Sequence, residues 1–454
     1  MRNEPSPAPA EDRLEAVLRQ RQERTRRQRR SALFTIAAIV LLCAAVVLIL
    51  SGGKRSAEAE PGIKVATDED TITIAAVGDI SISDAQLADA MGVSGYDFST
   101  CFLGVADLLD DADLTVGNLE CVFAGAPYGG STCSAPEILA DTLAGLGFDL
   151  LQTANSATIM GGMSGLASTI DTVRAAGMLP VGTFASKQER QESGGVTMVE
   201  VNGTRIAFIA FTKGLGNMSL PENSEFAVNC LYSDYNSNYS DLDTDGIVKA
   251  MTAAKKQKPD LMIALVHWGS EYSREISSSQ KKVAQLLYEN GADVILGTHS
   301  HMVGQVEAQT ITMEDGSTRD VLTAYDLGNF YTDSTKADTQ TSIILKLTFT
   351  KDKWGKLTLT DWGYTPIYCA DYGSGTKNRY QVMSVETAME LYKQDYVYHV
   401  PDETYAQMEK DMEQLPAVID PINEKKPTAA NKAAAESEED NENSEESTEG
   451  EAES

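Results

Sequence analysis

Basic residues are scarce in this chain: 37 lysines and arginines stand against 67 aspartates and glutamates, for a formal net charge of -30. That balance excludes nucleic-acid binding by simple electrostatics. Six cysteines are present, and none has Cys-x-x-Cys spacing, which argues against a zinc–thiolate site. No internal repeat of fixed period is visible, so solenoids and propellers are set aside. Histidine is the scarcest of the chemically useful residues, with four in 454 positions. Three of them, His267, His299 and His301, lie just past short apolar runs, and the fourth, His399, reads as a surface residue near the tail.

Charge is absent altogether from Ala32 to Leu50, and arginines crowd the segment before it, ending Arg26-Arg27-Gln28-Arg29-Arg30. An uncharged apolar run of about 20 residues is the length that crosses a bilayer as a helix. The basic flank places the N-terminus in the cytoplasm and the chain beyond the run outside. The basic region is long for a cleaved signal peptide, and the apolar run exceeds a usual signal core. The expected organisation is a basic cytoplasmic segment over 1–30, a single-pass transmembrane helix over 31–50, and a linker over 51–70. An extracytoplasmic domain then covers 71–335, and 336–415 completes it. A tail over 416–454 comes last, whose end from Glu436 to Ser454 has no basic residue and too little apolar surface to fold. Cys101, Cys121, Cys133, Cys230 and Cys369 would then face an oxidising compartment, which permits disulfides. Their pairing is not legible in the spacing.

From Thr71 the chain repeats one grammar: an apolar run, often a glycine, then a polar residue. The runs end in Asp79, in Asn118-Leu119-Glu120, in Asn155-Ser156, in Thr212-Lys213, in His267, in His299 and His301, and in Asp326 and Asn329. Segments with helical spacing lie between most of them, such as Pro136 to Leu146, Met163 to Ala176, Asp245 to Lys256 and Ser279 to Glu289. Gly147, Gly177 and Gly291 stand where left-handed caps are expected. Alternating strands and helices predict an α/β fold with a largely internal sheet. Polar residues at strand ends match the usual place of its active sites. After Thr341 the pattern turns to antiparallel strands over Ser342 to Phe349 and Lys356 to Thr360, with a further strand over Tyr364 to Tyr368. Helices are expected over Val385 to Gln394 and near Asp402 to Gln414.

Asp79, Glu120, His267, His299 and His301 form a carboxylate–imidazole set suited to divalent zinc, manganese or iron. Asn118, Asn155, Ser156, Glu271 and Asn329 are expected to line the same pocket. His299 and His301, as alternate residues at a strand end, should face one side. The ligands should converge at the carboxyl edge of one sheet. If two ions bind, either Glu120 or Asp79 can bridge them.

Gly78-Asp79-Ile80, Gly117-Asn118-Leu119-Glu120, His267-Trp268-Gly269-Ser270-Glu271-Tyr272, Gly297-Thr298-His299-Ser300-His301 and Tyr325-Asp326-Leu327-Gly328-Asn329-Phe330 occur in that order. Together they resemble the CapA family of poly-γ-glutamate capsule biosynthesis proteins, over roughly Thr71 to Asp333. The resemblance implies a layered core related to the calcineurin-like metallophosphoesterases. It also implies a membrane-anchored role in making, exporting or anchoring an anionic surface polymer. Partners among capsule synthesis and export membrane proteins follow from the same likeness.

One motif departs from the family. Where the family has Ala-Asn-Asn-His, this chain has Ala154-Asn155-Ser156-Ala157. In the related phosphoesterases that histidine acts in catalysis, and Ala157 can neither donate a proton nor stabilise an oxyanion. Losing a general acid costs a factor of about 10² to 10⁴. Two expectations stand side by side: a metal-dependent phosphoesterase or hydrolase acting on an extracytoplasmic substrate, and a catalytically inactive scaffold that keeps a metal site. Ser156 and Ala157 are expected to leave a gap in one wall of the pocket.

Overall fold

The computed structural model of the chain describes residues 71–313, 316–373, 379–396 and 399–421. The expected cytoplasmic segment, membrane span and linker lie outside these residues, as does the tail beyond residue 421. Among the described residues, no helix is long and apolar enough to cross a membrane.

The apolar runs are strands: Thr71–Ile80, Leu114–Leu119, Leu150–Gln152, Thr204–Thr212, Leu261–His267, Val294–Thr298 and Thr318–Ala324. They do not share one sheet. In the first sheet Thr71–Ile80 is central, with Leu114–Leu119, Leu150–Gln152 and Leu179–Val181 following in parallel on one side. On its other side Thr341–Lys351, Leu357–Asp371 and Tyr380–Ser384 add antiparallel, and the short strand Asn329–Tyr331 pairs in parallel with its carboxyl end. The second sheet runs Val306–Thr312, Thr318–Ala324, Val294–Thr298, Leu261–His267, Thr204–Thr212, Thr197–Val201. Its four inner strands are parallel and its two edge strands antiparallel.

Strand alternation explains the layering. In the first sheet Ala75 and Val77 cluster with Leu139, Leu143 and Phe148, which lie in or beside the helix Ile138–Leu146. In the second, Ile209, Phe211, Met262 and Ala264 cluster with Ile247 and Met251 of the helix Thr244–Lys256 and Val283 and Leu287 of the helix Ser278–Glu289. The intervening residues, Ile72, Ile74 and Ala76 in one sheet and Ile206, Phe208 and Ala210 in the other, are equally buried but belong to neither cluster. Successive side chains point to opposite faces, so these line the inner faces of two stacked sheets. The sheets meet closely: a Cβ placed on Gly182 would come within 2.5 Å of the Ala210 Cβ. A single internal sheet is thus replaced by two, each covered by helices on its outer face. Apolar periodicity reports burial on both faces but not which sheet supplies the cover.

Two strand ends require glycine. A Cβ on Gly78 would sit 1.8 Å from the Gly328 carbonyl oxygen, and one on Gly297 would sit 2.1 Å from the Tyr325 oxygen. The first approach lets the Asp79 N–H donate to Gly328 O at 2.9 Å and fixes the carboxylate. Gly78→Ala is expected to destabilise the fold by about 3 kcal/mol, because backbone rather than a flexible side chain must move. A melting temperature lowered by less than about 2 °C would show that the approach is not rigid.

The C-terminal part corrects three expectations. Leu357–Asp371 is one long strand rather than two: opposite Thr348 and Phe349 the pairing skips Thr360, and this shift within the long strand absorbs the irregularity. Tyr380–Ser384 is an additional strand that a run of five residues could not announce. The last helix runs Asp402–Ile419 with Pro416 inside it, and Leu415 and Ile419 are buried, so folded structure passes the boundary expected at 416. The five cysteines, Cys101, Cys121, Cys133, Cys230 and Cys369, are free thiols.

Candidate metal centre

Strand register places the polar residues. In the first sheet Asp79 is level with Asn118 on one side and Asn329 on the other. In the second sheet His267 is level with Thr212 and Thr298. The two rows come together: His267 Nε2 of the second sheet lies 3.1 Å from Oε1 of Glu120, which directly follows a strand of the first. The site therefore lies where the carboxyl ends of two sheets meet, not on the edge of one.

His299 and His301 reach it by another route than the alternation expected. The strand ends at Thr298, and both histidines stand beyond it with positive φ, 110° and 63°. Such backbone costs of the order of 1–3 kcal/mol per residue and persists where its surroundings enforce it. Asp326 is one enforcing group: its carboxylate accepts from the Ser300 N–H at 2.7 Å and the Gly328 N–H at 2.8 Å. One buried side chain thus ties the histidine loop to the turn beneath Asp79. The His267 and His299 rings end 4.3 Å apart, and the His299 and His301 rings 6.4 Å apart.

The donors form two groups, Glu120 with His267 and His299, and Asp79 with Glu120 and His301; within each, one atom per residue lies within 4.8 Å of the others. Glu120 belongs to both. Its Oε1 faces His267, while Oε2 is 4.0 Å from His301 Nδ1, which stands 3.0 Å from Asp79 Oδ2.

The electrostatics fit a cation. Asp79 and His267 are almost fully buried. Burial, partly offset by Asp79, pushes His267 down to about 3, and burial together with His267 pushes His299 down to about 3, so both imidazoles are neutral. Burial opposes charge on His301 as well, but Asp79, Glu120 and Asp326 outweigh it and raise it to about 11. Burial and the neighbouring Asp79 raise Asp326 to about 8. The Thr212 hydroxyl donates to Gly214 O at 2.8 Å and stands 3.4 Å from His267 Nδ1. With the ring proton on Nδ1, the tautomer this contact permits, the Nε2 lone pair faces a carboxylate oxygen that also carries lone pairs. Glu120 Oε2 and His299 Nδ1 are buried without a hydrogen-bond partner among the described residues, and Asp79 Oδ2 has the His301 Nδ1 ion pair. Lone pairs facing lone pairs and buried orphaned acceptors are what a divalent ion relieves. A divalent ion held here would supply Lewis acidity and a bound water of lowered pKa.

The remaining residues take positioning roles. Asn118 Nδ2 donates to Asp79 Oδ1 at 2.6 Å, and Asn155 Nδ2 donates to Asn118 Oδ1 at 2.9 Å. Asn155 Oδ1 accepts from the Ala157 N–H at 3.0 Å, so both amides are engaged within the protein. The Ser156 hydroxyl donates to Glu120 Oε1 at 2.6 Å, so position 156 closes onto the shared carboxylate instead of leaving a gap. Ala157 is buried. Asn329 uses Nδ2 on Thr339 O and aims Oδ1 at His301 Nδ1, 3.0 Å away. Glu271 is exposed and touches the site only through its charge on Lys213. His399 is half-buried against Tyr392, outside the site. A cavity of about 610 Å³ beside Arg190 and Lys249 contains none of these residues.

Sequence reasoning misses Asp326, Thr212, Lys213 and Tyr272 as site residues. Asp326 and Lys213 stand at strand ends in the same grammar as the histidines, and that position is the available signal. Tyr272, 41% exposed, lies with its ring 5.6 Å from that of His301 and forms part of the rim.

Comparison with known proteins bears on this set. The family described as bacterial capsule synthesis protein PGA_cap matches residues 73–334. The PGA biosynthesis protein CapA of Bacillus subtilis (strain 168) is 24% identical over 215 residues, 47% of this chain and 50% of that protein. The capsule biosynthesis protein CapA of Bacillus anthracis is 25% identical over 289 residues, 62% of this chain and 64% of that protein. The chain thus spans between half and just under two thirds of the length of these curated relatives. Among solved structures, a hypothetical protein from Thermus thermophilus shares 14% identity at a TM-score of 0.38, over 65% of this chain and 98% of that one. The NAD nucleotidase NadN of Haemophilus influenzae shares 12% at 0.37, over 76% and 67%. Both likenesses are too distant to bear on function.

Proposed function

Because this chain belongs to the family of bacterial capsule synthesis proteins, we propose that it serves the synthesis, export or anchoring of a poly-γ-glutamate-type capsular polymer through a centre for two divalent ions. The observation that carries the proposal is Glu120, shared between the His267/His299 group and the Asp79/His301 group. Imidazole and carboxylate donors suit zinc, manganese or iron. In this reading Glu120 would serve both ions, while Asn118, Asn155 and Ser156 hold the carboxylates in place. The basic segment before residue 32 keeps the N-terminus in the cytoplasm, the run to Leu50 anchors the chain, and the folded part works outside the membrane beside capsule synthesis and export proteins.

A second reading is favoured by one residue. Ala157 is buried and carries no proton to give, so the centre holds its ions as a binding or scaffolding element with little or no hydrolytic activity. One experiment separates the readings. Host cells lacking this protein are complemented with the wild type or with a His299→Ala/His301→Ala double variant. Surface polymer and membrane-bound protein are measured, and the purified manganese-loaded wild type is screened on phosphoesters and polyglutamate. Loss of polymer at unchanged protein level, with turnover in the screen, supports a catalytic centre; the same loss without turnover supports the scaffold. Full polymer with the double variant would remove the metal centre from the function altogether.

A further inference from the structure

We propose that Lys213 is the anion-binding residue of this centre, taking an oxyanion of the substrate, carboxylate or phosphoryl, on the side of His267 and His299. The inference rests on the metal-centre reading above and adds the residue that selects the charge of the ligand.

Three placements carry it. Lys213 directly follows the strand Thr204–Thr212, and its backbone N–H donates to His267 O at 2.7 Å, so its main chain is fixed to a candidate ligand. Its ammonium is half-buried, donating to Gly269 O at 2.6 Å with the Tyr239 ring centroid 4.7 Å away. The loop it begins then passes the divergent motif: a Cβ on Gly216 would stand 3.1 Å from Ser156 O. The loop bearing a fixed cation thus borders the place where the family's catalytic histidine gives way to Ala157.

A half-buried ammonium loses hydration and needs compensation. One carbonyl satisfies one of its three donors, and an aromatic face adds a modest attraction. In a chain of net charge -30, a fixed cation beside the ions offsets the repulsion an anionic substrate meets from Asp79, Glu120 and Glu271. Hydrogen bonds to ionised partners are the strong ones, so this contact is expected to dominate anion affinity on that side.

The test uses the full chain in detergent micelles, as wild type, Lys213→Gln and Lys213→Arg. Gln retains a donor for Gly269 O, so a purely structural lysine would be replaced without loss. Bound manganese is counted first, by elemental analysis, and then titration calorimetry follows binding of inorganic phosphate and, separately, of γ-linked triglutamate. The expected result is equal manganese in all three proteins, with affinity for at least one anion lowered about tenfold or more in Lys213→Gln and kept within about threefold in Lys213→Arg. The anion that responds identifies the source of the oxyanion. Equal anion affinity in wild type and Lys213→Gln, or no binding of either anion to the manganese-loaded wild type, overturns the role of Lys213. Absence of manganese from the wild type overturns the metal-centre reading instead.

Discussion

Glu120→Gln is expected to abolish tight divalent-metal binding at both positions, whereas His301→Ala abolishes one and leaves the other. The difference follows from the donor sets, since Glu120 stands in both groups and His301 in only one. Gln keeps the volume of the side chain and can still accept from the Ser156 hydroxyl, which now stands 2.6 Å from Oε1. What it loses is the negative charge that two ions share. Supporting residues around a metal typically contribute 10–100-fold to affinity, and a bridging ligand should exceed that range. Stability separates this loss from misfolding. Without metal, Glu120→Gln relieves repulsion with Asp79 but loses an attraction to protonated His301, so it should melt close to the wild type. With metal at about 100 times its dissociation constant, the wild type gains about 2.7 kcal/mol per site and the variant none. Stoichiometry by elemental analysis and paired melting curves decide the matter. Full metal content in Glu120→Gln would show that the two groups do not share their ligand.

How much of this is legible in the chain differs between the parts. Asp79, Glu120 and the three histidines can be picked out because a polar residue past a buried strand is conspicuous against apolar neighbours. The partition of strands between two sheets is not legible, because Ile74 and Ile263 look alike whether a helix or a second sheet covers them. Strand alternation predicts the convergence of His299 and His301, yet it comes from left-handed backbone held by Asp326, a residue 25 positions beyond His301. Long-range hydrogen bonds of that kind leave no local pattern. Ser156 reads as a loss because an asparagine is absent, while its hydroxyl holds the carboxylate the site shares. A short hydroxyl thus supplies a hydrogen bond to the shared carboxylate that the motif comparison does not register.

The pH dependence of stability offers a second large effect, and its sign can be worked out group by group for the metal-free protein. His267 and His299 are held near 3 against an ordinary 6.5, so their neutral burial stabilises the fold fully above pH 6.5 and is lost as pH falls toward 3. Asp326 opposes them: its carboxyl, raised to about 8, favours the fold fully below its ordinary 3.8 and loses that contribution as pH rises through 8. His301, raised to about 11, stabilises fully below pH 6.5 and loses its contribution as pH rises through 11. On the acid side two imidazoles act against one carboxyl, a net of roughly one proton, so stability falls as pH drops below 6.5. On the alkaline side His301 and, up to about pH 8, Asp326 lower stability together. The limb is steeper where both groups titrate and shallower where His301 alone remains. The metal-free protein should therefore be most stable near pH 6.5, among these groups, and His301→Gln should flatten the limb from pH 8 to 11. Metal binding should do the same, because an ion at Asp79 and His301 displaces the proton that His301 Nδ1 shares with Asp79 Oδ2 across 3.0 Å. Denaturant unfolding from pH 4 to 11, with and without manganese, measures both limbs. An alkaline limb that survives His301→Gln unchanged would assign it to other groups and leave His301 uncharged in the fold.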